Sequence, residues 1–278
     1  MPELPEVETT KAGIAPHIQD QKISKLDVRQ PKLRWPIPEE LSTLVKNQTV
    51  LDVRRRAKYL LIDIGSEKTG KLKGTIIIHL GMSGSLRVIE GKAPAPEKHE
   101  HFDICLNNGI TLRFTDPRRF GACVWQAAGD DSNLLDHLGP EPLSDDFNHD
   151  YIFAKSRKRT SAIKTFIMDQ KNVVGVGNIY ASESLFMSGV SPKKAAGKVS
   201  KQKYAQLTDS IKLVLEKAIA DGGTTLKDFV GSDGKPGYFA QQLRVYGRVG
   251  LPCITCETPI KQITQGQRST FYCPKCQK

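Results

Sequence analysis

The sequence predicts a multi-domain α+β protein, in which a strand-rich first half precedes a helical segment and a small cysteine-rich hairpin. Three observations support this prediction. The first half holds short apolar runs separated by turn residues, the second half has a helical apolar period, and four of six cysteines lie at the end. A length of 278 residues with 38% hydrophobic residues is enough for about two domains with real cores.

The chain opens with Met1-Pro2-Glu3 and continues into an apolar pattern at helical spacing. A proline early in a helix is favourable, so Pro5 fits the first turn. The apolar positions on the predicted helix face are Leu4, Val7, Ile14 and Ile18. The pattern predicts a helix that starts beside Pro2 and packs against the first domain.

Removal of Met1 would leave Pro2 with a terminal secondary amine beside the Glu3 carboxylate. An α-amino group titrates near ~7.7 to 8.0, below a lysine, so a usable fraction is unprotonated at neutral pH. Attack on a sugar carbon gives an iminium ion, which is the electron sink that an elimination needs. The alternative is a frayed terminus without a role, which the apolar helix pattern disfavours.

Seven runs in the first half are rich in β-branched, aliphatic and aromatic residues, with turn residues between them. They span 22–29, 50–64, 74–80, 85–89, 101–107, 110–114 and 122–126. Short strands at this spacing predict a sandwich or a barrel, with the opening helix packed against it.

The second half changes to a helical period. A long amphipathic helix is predicted between Ser200 and Gly222, and earlier helices at 145–156, 161–170 and 179–188. We expect Asn178 to cap the third of these helices, since it follows Gly175-Val176-Gly177. The N–H groups at such a helix start suit a phosphate. The glycine-rich stretch 221–250 is predicted to be a mobile loop.

The last four cysteines have the spacing C-x2-C-x16-C-x2-C, formed by Cys253, Cys256, Cys273 and Cys276. Two such knuckles place four thiolates around one zinc ion, and four protein ligands leave no open position, so the predicted zinc is structural. Runs at 260–264 and 269–273 predict a hairpin about Gln265-Gly266-Gln267. Arg268 lies at its tip as a candidate phosphate contact, the alternative being a solvated side chain.

The formal charge of +11, from 41 Lys+Arg against 30 Asp+Glu, favours a polyanionic partner such as nucleic acid. The position of the charges strengthens this prediction, because the stretch from Phe120 to Ala154 has seven acidic residues and no Lys or Arg, so the rest of the chain carries a formal charge of +18. No secretory signal or membrane span is predicted, so we expect a cytoplasmic protein without a membrane partner. Nucleophile-elbow, Walker and HExxH templates do not match.

Two loops carry apolar side chains beside arginines. Met82 lies in HLGMSG, and Arg118 and Phe120 lie in DPRRFG. Such residues are more often core filler, but on a basic scaffold they are typical of a wedge that unstacks a base pair.

Taken together, MPELPEVETT, RAKYLL, HLGMSG, DPRRFGA, GVGNIYASE, TTLKDF, KPGYFAQQLRVYGR and the four-cysteine finger resemble the bacterial formamidopyrimidine-DNA glycosylases along the whole chain. Ala57 departs from the glycine that this family commonly has before the lysine. The resemblance implies an N-terminal β-sandwich with DNA in a cleft, a helix-two-turn-helix domain and a zinc hairpin, which we assign to 1–135, 136–240 and 241–278.

The resemblance also implies roles for individual residues. Pro2 would be the Schiff-base nucleophile and Glu3 a proton donor, while Lys58 and Arg268 would donate protons for β- and δ-elimination and hold phosphates. Further residues would contact DNA without taking part in proton transfer: His79, Met82, Arg118, Phe120, Asn178 and Lys227. Glu6 and Glu183 would support the base pocket.

The implied activity is base-excision repair of oxidised purines, 8-oxoguanine opposite cytosine and formamidopyrimidines, by a monomer acting on double-stranded DNA that contains such lesions or abasic sites. Two alternatives stay open. The related endonuclease VIII branch would share most chemical residues and act on pyrimidines, although the LPEVE opening disfavours it. A non-catalytic zinc protein would bind DNA but would not need Pro2.

Overall fold

The computed structural model describes residues 2–130, 134–223 and 243–278. These residues form two compact units, one from 2–130, 134–136 and 221–223, the other from 137–220 and 243–278. Within the described parts of the chain, no helix is long and apolar enough to cross a membrane.

The first unit opens with helix α1 (Leu4–Ile18), which begins as the apolar pattern predicts. Its buried face includes Val7, Ile14 and Ile18, and these pack into the core between two β-sheets. A short second helix, α2 (Leu41–Val45), was not predicted and packs beside the first strand.

Eight described strands of the first unit form two antiparallel four-stranded sheets. They are β1 (Ile23–Val28), β2 (Thr49–Arg56), β3 (Tyr59–Gly65), β4 (Leu72–His79), β5 (Ser85–Glu90), β6 (Glu100–Leu106), β7 (Ile110–Thr115) and β8 (Ala122–Ala127). One sheet has the order β1-β6-β7-β5 and the other β2-β3-β4-β8. Both sheets contribute to a single apolar core, so the fold is a sandwich and not a barrel.

The prediction of one strand over 50–64 was wrong, because the run is a hairpin whose two-residue loop is Ala57-Lys58. Ala57 has a φ of +53°, and Lys58 is not among the positive-φ residues. A positive φ at the first loop residue alone is the type II′ pattern, which usually selects glycine there. The turn was missed because neither residue is a turn former.

The second unit is helical, with α3 (His149–Ser156), α4 (Ile163–Met168), α5 (Asn178–Met187), a short 3₁₀ turn (Ala196–Lys198) and α6 (Lys201–Ala220). The amphipathic face of α6 is buried, as its period predicts. Helix α3 starts four residues later than predicted, with the Asn148 side chain accepting from the Tyr151 amide as its cap.

A two-stranded hairpin ends the second unit, formed by β9 (Lys261–Gln265) and β10 (Arg268–Tyr272). Gly266 and Gln267 both have positive φ, which is the type I′ geometry that suits tight hairpins. Phe271 and Ile260 are buried beside the cysteines in a small core of their own.

Candidate active site

The start of the chain is packed down, as predicted: Pro2 and Glu3 are both buried. Glu3 is the N-cap of α1 and forms a reciprocal capping box with Glu6, whose Oε2 accepts the Glu3 amide at 2.8 Å. The positive end of the helix dipole therefore lies next to Pro2. Such a position favours the unprotonated form of a nearby amine.

Lys58 and His79 lie at the same edge of the β2-β3-β4-β8 sheet. The strand register pairs Tyr59 with His79 and His79 with Ala122, so the Ala57-Lys58 turn and the end of β4 are neighbours. The Tyr59 and His79 rings are 5.0 Å apart between centroids. A cation and an imidazole are thus placed side by side.

Arg55 connects this edge to α1, a link that the sequence analysis did not find. Its Nε donates to Glu8 Oε2 at 2.6 Å, and its Nη1 donates to the Ala57 carbonyl oxygen at 3.0 Å. Burial raises the pKa of Glu8, but hydrogen bonds from Lys11 and Arg55 outweigh it, so the net pKa lies below its ordinary value. The ionised Glu8 carboxylate therefore holds Arg55, which in turn is hydrogen-bonded to the Ala57-Lys58 turn.

His79 is electrically neutral at physiological pH. Burial, followed by the charges of Lys58 and Arg34, lowers its pKa to about 4. Its Nδ1 accepts the Gly81 amide at 3.0 Å, which assigns the remaining proton to Nε2. The side chain is therefore a hydrogen-bond donor and not a cation.

The two loops with wedge candidates differ in how far they expose those side chains. Met82 is half-buried and Arg118 is exposed. Phe120 is 46% exposed, and the Arg118 guanidinium carbon lies 5.0 Å from the centre of its ring. An exposed phenylalanine of this kind is not core filler, so the wedge interpretation gains support.

In the second unit, the prediction that Asn178 caps α5 was wrong: the cap is Gly177, and Asn178 is the first helical residue. The Asn178 side chain is used elsewhere. Its Oδ1 accepts from the buried Lys164 ammonium, and its Nδ2 donates to the Ser269 carbonyl at 3.0 Å. Asn178 is thereby tied to the residue that follows Arg268.

Lys164 was not singled out from the sequence, although it lies on the apolar face of α4 between Ile163 and Phe166. It is 1% exposed, and its Nζ also donates to Thr270 Oγ1 at 2.8 Å and to the Ser269 carbonyl at 3.1 Å. A lysine on a buried helix face was the available signal, since an ammonium is buried only when its donors are satisfied.

Arg268 is the first residue of β10 and is exposed at the hairpin turn. Glu183 is buried, and its two carboxylate oxygens accept the backbone amides of Arg244, Val245 and Tyr246 at 2.9 Å. It thus anchors the chain that follows residue 242. Lys227, and most of the loop predicted at 221–250, lie outside the described residues.

The four cysteines of the finger converge as predicted. Their Sγ atoms all lie within 4.8 Å of one another, and three of the six sulfur–sulfur distances are 3.4, 3.4 and 3.9 Å. Tetrahedral coordination with metal–sulfur bonds of about 2.3 Å requires sulfur–sulfur edges of about 3.8 Å. The four residues, Cys253, Cys256, Cys273 and Cys276, therefore fit a closed, structural metal site.

Three family models cover the chain in order. They describe the formamidopyrimidine-DNA glycosylase N-terminal domain at residues 1–123, the H2TH domain of the same glycosylase at 138–230, and a zinc finger found in FPG and IleRS at 250–278. The formamidopyrimidine-DNA glycosylase of Stenotrophomonas maltophilia is 54% identical over 278 residues, covering all of both chains.

Solved structures agree with this assignment. The Fpg protein of Thermus thermophilus is 35% identical, with a TM-score of 0.87 over 99% of this chain and 98% of the other. The Lactococcus lactis Fpg, in complex with DNA containing an abasic site, is 32% identical, with a TM-score of 0.89 over both full chains. With this agreement in sequence, domain order and fold, the chain belongs to the formamidopyrimidine-DNA glycosylase family of DNA-repair enzymes.

Proposed function

We propose that this protein is a bifunctional DNA glycosylase and AP lyase, which excises 8-oxoguanine opposite cytosine and formamidopyrimidines from duplex DNA. The observation that carries the proposal is the buried Pro2-Glu3 pair at the positive end of α1. Two solved relatives support the substrate class: a Lactococcus lactis Fpg variant in complex with DNA containing Fapy-dG, and MutM in complex with DNA containing carbocyclic 8-oxo-G.

Removal of Met1 leaves Pro2 with a free secondary amine. Catalysis begins when this nitrogen attacks C1′ of the damaged nucleotide. A nitrogen–C1′ bond forms while the bond from C1′ to the base breaks; the electron pair leaves with the base, which takes up the proton that the amine loses. The C1′–O4′ bond then breaks as Glu3 protonates O4′, and the nitrogen lone pair forms the C=N bond. One amine thus replaces the base and generates an iminium ion on the opened sugar.

The iminium ion acidifies the C2′ protons, and loss of one expels the 3′ phosphate by β-elimination. A second elimination expels the 5′ phosphate, and water then releases Pro2. We assign Lys58 and Arg268 as the proton donors of the two eliminations. The Arg55 bridge to Ala57 supports the first assignment, because it fixes the turn that carries Lys58.

A base inside a duplex cannot be reached, so extrusion at a few kcal/mol must be offset by contacts with the DNA. Lys58, His79, Asn178 and Arg268 would hold phosphates. Met82, Arg118 and Phe120 would fill the vacated stack and contact the opposite cytosine, and the exposure of Arg118 and Phe120 supports this role.

Three further residues are assigned to the base pocket: Glu6, Glu183 and Lys227. Glu6 is fully buried one turn from Glu3, and Glu183 anchors residues 244–246, so both are built into the framework. We assign the domains to 1–135, 136–240 and 241–278, and expect a cytoplasmic monomer.

The cysteine site would hold one structural Zn²⁺, which its four sulfur ligands and closed geometry favour over harder metals. Elemental analysis of the purified protein should give one zinc per chain. A different metal at full occupancy, or none in a folded and active protein, would overturn this assignment.

Borohydride trapping tests the mechanism. Incubation with an 8-oxoguanine:cytosine duplex and sodium borohydride should yield a covalent complex, and peptide mapping should locate the sugar on Pro2. Retention of Met1, or an added N-terminal residue, should abolish trapping and cleavage. Glu3→Gln should slow base release yet still permit trapping on a preformed abasic site.

An active enzyme that gives no adduct, or an adduct mapped to a lysine, would contradict this route. Pro2→Gly is an unsuitable single test, since it supplies a primary amine at the same position. A non-catalytic DNA-binding protein would bind equally well after its N-terminus is extended and would cleave nothing.

Repair of oxidised pyrimidines is the second candidate function. It is favoured by one observation, the solved complex of Lactococcus lactis Fpg with DNA containing an oxidised pyrimidine. Single-turnover excision of thymine glycol and 8-oxoguanine, each opposite its normal partner, separates the two. We expect the purine lesion to be removed faster.

A further inference from the structure

We infer that Asp116 and Ser83 are positioning residues that hold the two wedge loops in one arrangement and thereby set selectivity for the base opposite the lesion. The loops are the segments 80–84, with Met82, and 116–121, with Arg118 and Phe120. The inference deepens the proposed function and rests on it, since it concerns side chains that were assigned to the vacated stack.

The Asp116 carboxylate joins the two loops directly. It is fully buried, and its Oδ1 accepts the Ser83 hydroxyl at 2.6 Å and the Arg118 amide at 3.2 Å. Its Oδ2 accepts the Gly121 amide at 2.8 Å. One carboxylate therefore binds the residue after Met82, the backbone of Arg118 and the residue after Phe120.

Ser83 reinforces the same link from the other loop. Its Oγ donates to Asp116 and also accepts the Arg118 amide at 3.3 Å, so the hydroxyl lies between the two segments. Ser83 is buried, as is Asp116, whereas Arg118 and Phe120 are exposed. The polar contacts form the base of the wedge and the apolar and cationic side chains form its tip.

The backbones of the two loops also touch. A Cβ on Gly81, which has a φ of +65°, would lie 2.5 Å from the Gly121 nitrogen and from the Phe120 carbonyl carbon. A Cβ on Gly121 would lie 2.9 Å from the His79 carbonyl oxygen. No side chain fits at either position, so the loops are packed as one body and not as two independent arms.

Asp116 is itself anchored to the residues that start β6. Its amide donates to the His99 carbonyl at 2.9 Å, and its carbonyl oxygen forms a hydrogen bond with His101 Nε2 at 2.6 Å. The backbone and the side chain of Asp116 thus make different contacts. The backbone fixes the loop to the sheet, and the carboxylate fixes the second loop to the first.

A wedge that is ordered before binding does not lose conformational entropy when it enters the duplex. Discrimination between opposite bases requires Arg118 to present its donors in one geometry, because a mobile arginine can adapt to either base. Loss of the carboxylate link should therefore reduce selectivity and slow extrusion. An abasic site has no base to extrude, so its cleavage should depend little on the link.

Ser83→Ala is the main test, with Asp116→Asn as the stronger variant. Thr75→Val is the matched control, because the Thr75 hydroxyl donates to the buried Asp63 carboxylate at 2.7 Å in the same sandwich. Excision of 8-oxoguanine opposite cytosine and opposite adenine, and cleavage of an abasic site, are measured under single-turnover conditions. Amide hydrogen exchange is followed at Arg118 and Gly121.

In Ser83→Ala we expect a smaller ratio between the rate of 8-oxoguanine excision opposite cytosine and the rate opposite adenine. The ratio should fall about tenfold, which is the effect of one charge-assisted hydrogen bond. Abasic-site cleavage should stay within about twofold of wild type, while the two loop amides exchange at least about tenfold faster. Thr75→Val should lower the melting temperature similarly and leave the ratio and both amides unchanged. Asp116→Asn, where it folds, should lower the excision ratio and speed the exchange of the two amides by more than Ser83→Ala does.

A folded Ser83→Ala protein with the wild-type ratio, or with unchanged exchange at both amides, would overturn the inference. An equal fall in the ratio for Thr75→Val would do the same, because the effect would then be general destabilisation. Failure of the proposed function looks different: the wild-type enzyme would excise no 8-oxoguanine, while hydrogen exchange would still decide whether the carboxylate holds the loops.

Discussion

Ala57 holds a backbone conformation that alanine seldom adopts. It is fully buried with a φ of +53°, and left-handed geometry costs an ordinary residue about 1–2 kcal/mol. Glycine relieves that strain, but loses one buried methyl group, worth about 0.8 kcal/mol, and gains unfolded-state entropy. We therefore expect Ala57→Gly to change the free energy of unfolding by no more than about 1 kcal/mol.

Ala57→Val is the informative partner of that substitution. A β-branched side chain is strongly disfavoured at positive φ, and two extra methyl groups must enter a packed core. We expect a loss of about 2–4 kcal/mol in urea unfolding. A valine variant as stable as the glycine variant would mean that this turn is not under strain.

The neutrality of His79 predicts a pH dependence of stability. Its pKa is lowered from 6.5 to about 4 in the fold, so folding favours the uncharged ring. The stabilisation is full above pH 6.5, falls as the pH drops from 6.5 towards 4, and is lost below that. Its size is on the order of 3 kcal/mol, from about 1.4 kcal/mol per pKa unit.

His79→Gln keeps a donor without a titrating ring, so its unfolding free energy should fall less between pH 6.5 and 4 than that of wild type. Urea unfolding at several pH values measures the difference. NMR titration of the ring gives the pKa directly, and a midpoint near 6.5 would show that the imidazole is not shielded as described.

At the scale of elements, Lys164 joins three of them: α4, which carries it, α5 through Asn178, and β10 through Ser269 and Thr270. Lys164→Met keeps the stem but removes three donors, leaving buried acceptors unsatisfied. Each such group costs about 1–3 kcal/mol. We expect the variant to be destabilised by several kcal/mol and to bind DNA more weakly, because Asn178 and the hairpin are no longer fixed together.

Lys212→Met is the control for that variant, since Lys212 also donates to a backbone carbonyl, that of Ser144, but is only partly buried. It should change the unfolding free energy by less than about 1 kcal/mol and leave affinity nearly unaltered. Comparable losses in both variants would indicate that any lysine-to-carbonyl contact in this unit matters equally.

The same elements mark what the sequence could predict. Strands, the long helix and the metal cluster follow from period and spacing, because those signals are local. The Ala57-Lys58 turn did not, because its geometry is imposed by the pairing of β2 with β3 on residues that are poor turn formers. Two residues were missed because their partners lie far along the chain. Lys164 contacts Asn178, Ser269 and Thr270, and Asp116 contacts Ser83.

The site residues divide in a similar way. Pro2 and the four cysteines stood out by their own chemistry. Lys58 and His79 were found only through the family resemblance, because a lysine in an unrecognised turn or a histidine at a strand end has no local signature. Asn178 had already been singled out, because it lies at a predicted helix start. The structure adds what neither source gave, namely that His79 is neutral and that Arg55 grips the turn before Lys58.

At the scale of the whole molecule, charge distribution matters more than the net value of +11. A cation that meets a phosphate releases counterions, so the logarithm of affinity falls with the logarithm of salt concentration by about 0.9 per phosphate neutralised. Lys58→Met should therefore reduce the slope for undamaged duplex by about 1. His79→Gln should weaken binding with little change in slope, because the ring carries no charge at neutral pH.

Lys25→Met is the matched control, since it removes the same unit of charge from an exposed lysine that pairs with Asp27 on β1. If binding depends on specific phosphate contacts, its slope should equal that of wild type. A Lys25→Met slope lowered as much as that of Lys58→Met would mean that affinity reports only net charge. Titrations between 50 and 200 mM salt, followed by fluorescence anisotropy, separate the two cases, because the affinity change over that range reflects the number of phosphates held.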